Sequence, residues 1–273
     1  MEKRKILIQL DSDPQPSVFD RVVAIDAGAD EVFAYGGVKQ EQVQNLVHGA
    51  IFTRGPKDLK NTAIFIGGSD VAAGEKLLQE ARKHMIPQFG LTVSILLDAN
   101  GANTTAAAVL GGTGPVGQRV ARLLGRAGAE VMLGSRQEAR AAAVCSEIKT
   151  MIPDARLVPV ATGSTAQTTK AMAGRIMVIA AGAAGAVLLP LAVRQASTTL
   201  KVAIDLNAVP PMGIEGIEAT DKGVERGGVI CYGALGVGGT KMKIHKAAIA
   251  RLFESNQNVL DAEEIFAIAL ALE

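Results

Sequence analysis

Apolar residues in this chain fall into short unbroken runs separated by stretches with helical spacing. That alternation predicts parallel strands buried on both faces, with helices covering them. In the first hundred residues KILIQL (5–10) reads as a buried strand, Ser17 is placed to cap a helix running to Gly28, and EVFAYG (31–36) opens the next strand. A helix around residues 41–48 is expected to end at Gly49, with AIFTRG (50–55) and TAIFIGG (62–68) following as extended segments. Ser69 or Asp70 then starts a helix through His84, and TVSILLDA (92–99) supplies a further strand. This region has a βα rhythm without a phosphate-binding glycine pattern.

The pattern changes at residues 109–136, VLGGTGPVGQRVARLLGRAGAEVMLGSR, which read as strand, glycine turn, helix and second strand. Gly112, Gly114 and Gly117 form G-x-G-x-x-G. An apolar run precedes them, an amphipathic helix follows, and EVMLGS (130–135) is the next strand, so the context is that of a dinucleotide fingerprint. Gly112 permits the tight turn, Gly114 a close approach of backbone to pyrophosphate, and Gly117 close helix–strand packing. Thr113 and Val116 complete the turn, and Pro115 suits the first helical position. The second strand ends in Ser135-Arg136 where an NAD site usually carries Asp or Glu. A hydroxyl and a guanidinium can hold a 2′-phosphate that a carboxylate would repel, which favours NADP; the alternative is an arginine that merely solvates a strand end.

RLVPVA (156–161), RIMVIAAGAAG (175–185), KVAIDLN (201–207) and GGVICYGAL (227–235) complete the nucleotide domain. Their strand ends carry Gly182, Asn207 and Gly233, on the edge where open α/β sheets bind ligands. The expected class is α/β with two domains. Residues 1–105 form an N-terminal parallel substrate domain and 106–240 a Rossmann NADP-binding domain. Residues 241–273 form C-terminal helices, including one near 261–270, that pack back toward the N-terminal domain.

Composition narrows the class. A 273-residue chain with 48% apolar residues can bury a large core, and a net charge of +1 without a basic run argues against nucleic acid as a partner. No apolar segment is long enough, and free enough of glycine and charge, to span a bilayer. MEKRKILIQLDSD turns acidic too early for a secretory signal, so a cytoplasmic protein is expected. Cys145 and Cys231 lack paired ligand spacing and read as small buried hydrophobes. His48, His84 and His245 are too scattered for a metal cluster.

Candidate ligand contacts fall in a few places. Asn103, Thr104 and Thr105 put amide and hydroxyl groups at the carboxyl end of an apolar strand, where they serve a ligand or cap the next helix. Asp20 sits in the first turn of the first helix, favourably placed on the helix dipole. Lys241 and His245 stand four apart, on one face of a helix expected to start at a glycine-rich turn; spacing alone reads as a solvated basic face, and Lys243 is off it. Asn207 precedes Val209-Pro210-Pro211, a stiff loop in which its amide contacts a cofactor or closes an Asx turn. Ala181 and Gly182 let backbone approach a nicotinamide ribose or simply make room for packing.

Several blocks carry a more specific likeness. PSVFD (16–20), TAIFIGG, NGANTT (100–105), GGTGPVG (111–117), NAVPPMGIEGIEATDKG (207–223), GALGVGGTKMKIHKA (233–247) and LFES…DAEEI (252–265) resemble the bacterial NADP-dependent methylene-tetrahydromethanopterin dehydrogenases across almost the whole chain. The resemblance implies oxidation of a methylene bridge on a reduced pterin carrier to methenyl, with hydride passed to NADP in one-carbon metabolism. Some members of the family also accept methylene-tetrahydrofolate, and the folate dehydrogenase/cyclohydrolase group is a more distant relation. The resemblance further implies a homo-oligomer, with a trimer as one candidate. It gives Asp20, Asn103 and Thr104 pterin-side roles, and it gives Lys241, His245 and Thr105 places at the reacting centre.

One departure stands out. Relatives carry a linking helix and the start of the first Rossmann strand between NTTAAA and VLGGTG, whereas three alanines separate Thr105 from Val109 here. A parallel crossover needs about a dozen residues. Either the crossover is truly this short or a segment has been closed up in the numbering; a true shortening bears on cofactor affinity and domain spacing more than on fold. Two other classes share the fingerprint. A non-catalytic NADP sensor would bind nucleotide without producing NADPH, and shikimate-type dehydrogenases need an acid/base pair that NTT and KMKIH do not obviously supply.

Overall fold

A computed structural model describes residues 3–102 and 115–272, and every count or absence below refers to those residues. The chain opens with β1 (Ile6–Asp11), α1 (Val18–Asp26), β2 (Glu31–Tyr35), α2 (Gln40–Ile51), β3 (Thr62–Gly67), α3 (Val71–Lys83) and β4 (Ser94–Leu97). Next come α4 (Pro115–Arg126), β5 (Glu130–Ser135), α5 (Glu138–Met151), β6 (Arg156–Ala161), α6 (Thr165–Met172), β7 (Met177–Ala180), α7 (Leu191–Ala196) and β8 (Val202–Asp205). The last elements are β9 (Lys222–Arg226), β10 (Val229–Tyr232), α8 (Ala234–Leu252), β11 (Val259–Leu260) and α9 (Ala262–Leu270). They form two compact units: Met1–Thr104 with Met242–Glu273, and Thr105–Lys241. The fold class is α/β, and no helix is long and apolar enough to cross a membrane.

The first unit is built on a parallel sheet of order β11-β4-β3-β1-β2. Its central strand β3 is buried at every position, as a strand covered on both faces should be, while edge strand β2 is not. The register pairs Asp11 of β1 with Gly67 of β3, and the Asp98 amide donates to the Ile66 carbonyl at 3.0 Å. Three neighbouring strands therefore end at one level, β1 in Asp11 and β4 just before Asp98. Ser17 caps α1, its Oγ accepting from the Asp20 amide at 3.2 Å, and Asp70 caps α3, accepting from the Ala73 amide at 3.0 Å. Ala248, Ile249, Leu252, Phe253, Leu260 and Ile265 pack in one cluster with Leu7, Phe65 and Leu96. Burying each large side chain among them contributes about 1.5–3 kcal/mol, which ties the chain's last thirty residues to its first hundred.

Two expectations about helix ends need correction. α2 does not stop at Gly49; it continues to Ile51, because Ala50 and Ile51 extend the buried face begun by Val43 and Val47, so AIFTRG is not an extended segment. α8 does not start at the glycine-rich turn before Lys241. It starts at Ala234 and takes in Gly236, Gly238 and Gly239. A Cβ on Gly233 would strike the Glu218 carbonyl and one on Gly236 the Asp221 carbonyl, so these glycines serve close backbone packing at the helix start.

In the second unit β5 and β6 pair in parallel, and β7-β8-β10-β9 form a separate sheet in which only β9 is antiparallel. A cavity of about 430 Å³ lies between β5 and β7, lined by Val131, Met132, Gly134, Met177 and Val178. Arg175 and Glu130, also in its lining, form a 2.7 Å ion pair that holds the glutamate below the usual carboxylate range. Strand β9 was not expected. KGVER is polar and exposed, but it joins β10 through Gly227-Gly228, both at positive φ (65° and 78°), the signature of a two-residue hairpin turn. Cys145 and Cys231 are buried free thiols, and burial pushes both up.

Candidate active site

In the second unit the sequence places its nucleotide contacts around α4 and the carboxyl end of β5. Gly112, Thr113 and Gly114 lie outside the described residues, as do Asn103, Thr104 and Thr105. Pro115 opens α4; Val116 packs against the cluster around Val131 and Leu133, and Gly117 is buried in the first turn. β5 ends in Ser135, whose Oγ accepts from the Gln137 amide at 3.3 Å while Arg136 stands exposed. The adjoining turn comes close: Thr162 donates its amide to the Ser135 carbonyl at 2.8 Å, and a Cβ on Gly163 would lie 3.2 Å from the Arg136 carbonyl. The strand thus terminates in a hydroxyl and an exposed guanidinium with no carboxylate between them, a donor set suited to a phosphate dianion.

The loops after β7 and β8 are more self-contained. A Cβ on Gly182 would lie 2.6 Å from Leu188 Cδ1, so packing accounts for this glycine; Ala181 is half-buried beside it. Asn207 Oδ1 accepts from the Val209 amide at 3.4 Å, closing an Asx turn, and its Nδ2 lies 3.5 Å from the Pro211 carbonyl across a cis Pro210-Pro211 bond. Beneath it Asp205 accepts from the amides of Asn207 at 2.9 Å and Ile214 at 2.7 Å. Burial still pushes the Asp205 carboxyl up, because these amides offset only part of the desolvation.

A second constellation lies wholly in the first unit, at the aligned ends of β1, β3 and β4. His245 of α8, 1% exposed, stacks on Phe65 of β3 with centroids 5.8 Å apart and planes at 17°. Its Nε2 stands 4.0 Å from Asp20 Oδ1 of α1 and its Nδ1 stands 3.9 Å from Asp98 Oδ2. Phe19, half exposed on α1, approaches the same ring at 6.2 Å. Asp11 is held by amides of Asp13 and Ser17, at 2.9 and 3.0 Å. Gly67 keeps the strand end open: a Cβ there would sit 3.5 Å from both Asp11 Oδ2 and Asp20 Oδ2. Lys241 lies half-buried one turn before His245 on α8; Lys243 is exposed, and Lys246 pairs with Asp26 at 2.8 Å.

Asp20 and His245, 225 positions apart in sequence, are therefore brought together. Sequence reasoning missed Asp11, Asp98 and Phe65. A signal existed for the aspartates, since each directly ends an apolar strand on the edge where α/β proteins bind ligands. The cluster offers carboxylates and an imidazole to a ligand rich in N–H groups, and it contains no activated Ser or Cys nucleophile.

Fold and site define a two-unit α/β protein, with an acid-rich cluster at the strand ends of its first unit. Residues 18–100 match the family described as "Methylene-tetrahydromethanopterin dehydrogenase, N-terminal". The chain is 44% identical over 285 residues to the bifunctional protein MdtA of Methylorubrum extorquens, covering 97% of this chain and 98% of that protein. It is 28% identical over 307 residues to an NAD(P)-dependent methylenetetrahydromethanopterin dehydrogenase of the same organism, covering 98% and 99%. Among solved structures, a transhydrogenase from Sinorhizobium meliloti is 17% identical with a TM-score of 0.42, over 92% of this chain and 90% of that one. The chain belongs to the methylene-tetrahydromethanopterin dehydrogenase family. Both curated alignments run over more positions than this chain has residues, so parts of those relatives have no counterpart here.

Proposed function

We propose that this chain transfers hydride from methylene-tetrahydromethanopterin to NADP, giving the methenyl carrier and NADPH. The observation that carries the reading is the 44% identity sustained over nearly the full length of both proteins. It is supported by the name of the more distant relative, an NAD(P)-dependent dehydrogenase of this substrate, and by Ser135-Arg136 at the end of β5.

The chemistry asks little acid–base work of the protein. The methylene carbon sits between two nitrogens; its C–H bond breaks with both electrons leaving as hydride, and the resulting cation is delocalised over those nitrogens. NADP, when bound, supplies the hydride acceptor. Positioning and electrostatics remain for the chain. Arg136 and Ser135 hold the 2′-phosphate, and the first turn of α4, with the glycines before it, holds the pyrophosphate. Asp20, His245 and Lys241 orient the pterin, together with the turn of Asn103, Thr104 and Thr105, and nearby carboxylate charge favours the cation that develops as hydride leaves. The protein works in the cytoplasm as a homo-oligomer.

A second reading, methylene-tetrahydrofolate oxidation, follows from the sequence resemblance to a family some members of which accept that carrier. One experiment addresses both: NADPH or NADH formation followed by absorbance, with each nucleotide against each methylene carrier. The proposal expects turnover with the methanopterin carrier and NADP. Nucleotide binding without turnover of either carrier would leave a sensor in its place.

A further inference from the structure

We infer that Asp98 is a positioning residue of the pterin site, acting through His245. The inference rests on the proposed function for its kinetic consequence, but its structural content stands on the first unit alone. His245 is held on three sides. Phe65 lies against the ring's flat face, which leaves only the ring's edge for polar contacts; Asp20 meets that edge at Nε2 and Asp98 meets it at Nδ1.

Both separations are ion-pair distances, longer than a hydrogen bond, so the effect is electrostatic and orienting. Asp98 is the deeper partner: its side chain is 0% exposed against 16% for Asp20. Its position is set by strand register, because β4 pairs with β3 through Leu97–Ile66 and the chain continues directly into Asp98. Two carboxylates, one from α1 and one directly after β4, therefore face the imidazole, and Asp11 lies near Asp20 across Gly67.

A negative charge at Nδ1 keeps a proton there. Asp20 stands at nearly the same distance from Nε2, so the two carboxylates together favour a proton on each ring nitrogen, and Asp98 sets which nitrogen faces inward. Asp20 touches the ligand; Asp98 keeps the imidazole in the one orientation and protonation pattern that lets it do the same.

The test uses the full-length protein with 15N-labelled histidine. The chain has three histidines, so His48→Gln and His84→Gln identify the His245 signals by elimination. In the wild type His245 should carry a proton on Nδ1 at neutral pH, either as imidazolium or as the Nδ1–H tautomer. Asp98→Asn should move it toward the ordinary Nε2–H neutral form and lower kcat roughly tenfold with a smaller change in the carrier KM. Asp98→Glu should restore part of both. His245 signals identical in wild type and a folded Asp98→Asn protein would overturn the inference. If Asp98→Asn does not fold, a neutral Nε2–H tautomer in the wild type would overturn it equally well. If the His245 signals respond as expected while no methylene carrier is oxidised, the coupling stands and the proposed function fails.

Discussion

Arg226 grips both carboxylate oxygens of Asp221, Nε to Oδ2 and Nη2 to Oδ1, each at 2.7 Å. This fork joins the end of β9 to the loop that β10 and α8 pack against, and the Glu218 amide adds a third donor at 2.9 Å. The hydrogen bonds from Arg226, more than any other cause, hold the Asp221 carboxyl below the usual aspartate range. A depressed folded-state value means that the contribution to stability is complete above the unfolded value and is lost as pH falls through the folded one. The hairpin should therefore loosen below about pH 4, seen as faster hydrogen exchange of β10 amides. Arg226→Ala should lower stability at neutral pH and flatten this acid dependence. Parallel pH profiles for the two proteins would contradict the assignment.

Arg136 is the residue proposed to set nucleotide choice. Replacing it with alanine should weaken NADP by about 1.5–3 kcal/mol, roughly one to two decades in Kd, and leave NAD nearly unchanged, since only the former presents a 2′-phosphate. Calorimetric titration with both nucleotides decides the matter, and equal losses would remove Arg136 from the site.

Lys241 and His245 are expected to position the pterin without acting as obligatory proton carriers. Lys241→Ala and His245→Ala should each lower kcat/KM for the carrier by about one to two decades, on the order of 1–3 kcal/mol, with NADP affinity retained. An essential base would add a steep pH dependence. Steady-state kinetics across pH separates these outcomes, and unchanged carrier kinetics in both variants would return the pair to a solvated face of α8.

The glycines of α8 should divide sharply in their response to alanine. At Gly236 the new methyl meets the Asp221 carbonyl, a backbone atom that cannot swing away, and a loss of about 1–3 kcal/mol is expected. At Gly238 and Gly239 nothing lies within 4 Å, and alanine should gain about 0.5–1 kcal/mol through helix propensity. Thermal unfolding of the three variants checks the contrast.

These contrasts also show what the sequence could tell. Strands β1, β3 and β4, with the caps Ser17 and Asp70, were legible because continuous apolar runs and short polar caps are local signals. Strand β9 was not, since KGVER has no apolar face and only its Gly-Gly turn announces a hairpin. Glycine was misread twice, at Gly49 and at Gly238-Gly239, because a glycine that suggests a turn can also sit inside a continuing helix. In the site, Asp20 and His245 were legible one at a time. The neighbours Asp11, Asp98 and Phe65 were not, because their proximity follows from parallel register between strands far apart in sequence.

The first unit takes its core from both ends of the chain, with β11 pairing β4 and Leu252, Phe253 and Ile265 packing with Leu7 and Phe65. A chain emerging from the ribosome therefore displays β1 to β4 long before the helix that covers them exists, and one edge of β4 stays open until residue 260 has been made. Domains generally fold in order of synthesis, and this one cannot. The intervening unit is free to fold first, and the first unit is completed only once its last helices have been made. A stop codon that removed only the final thirty residues would release a protein with its second unit whole and the first unit's sheet exposed and prone to association.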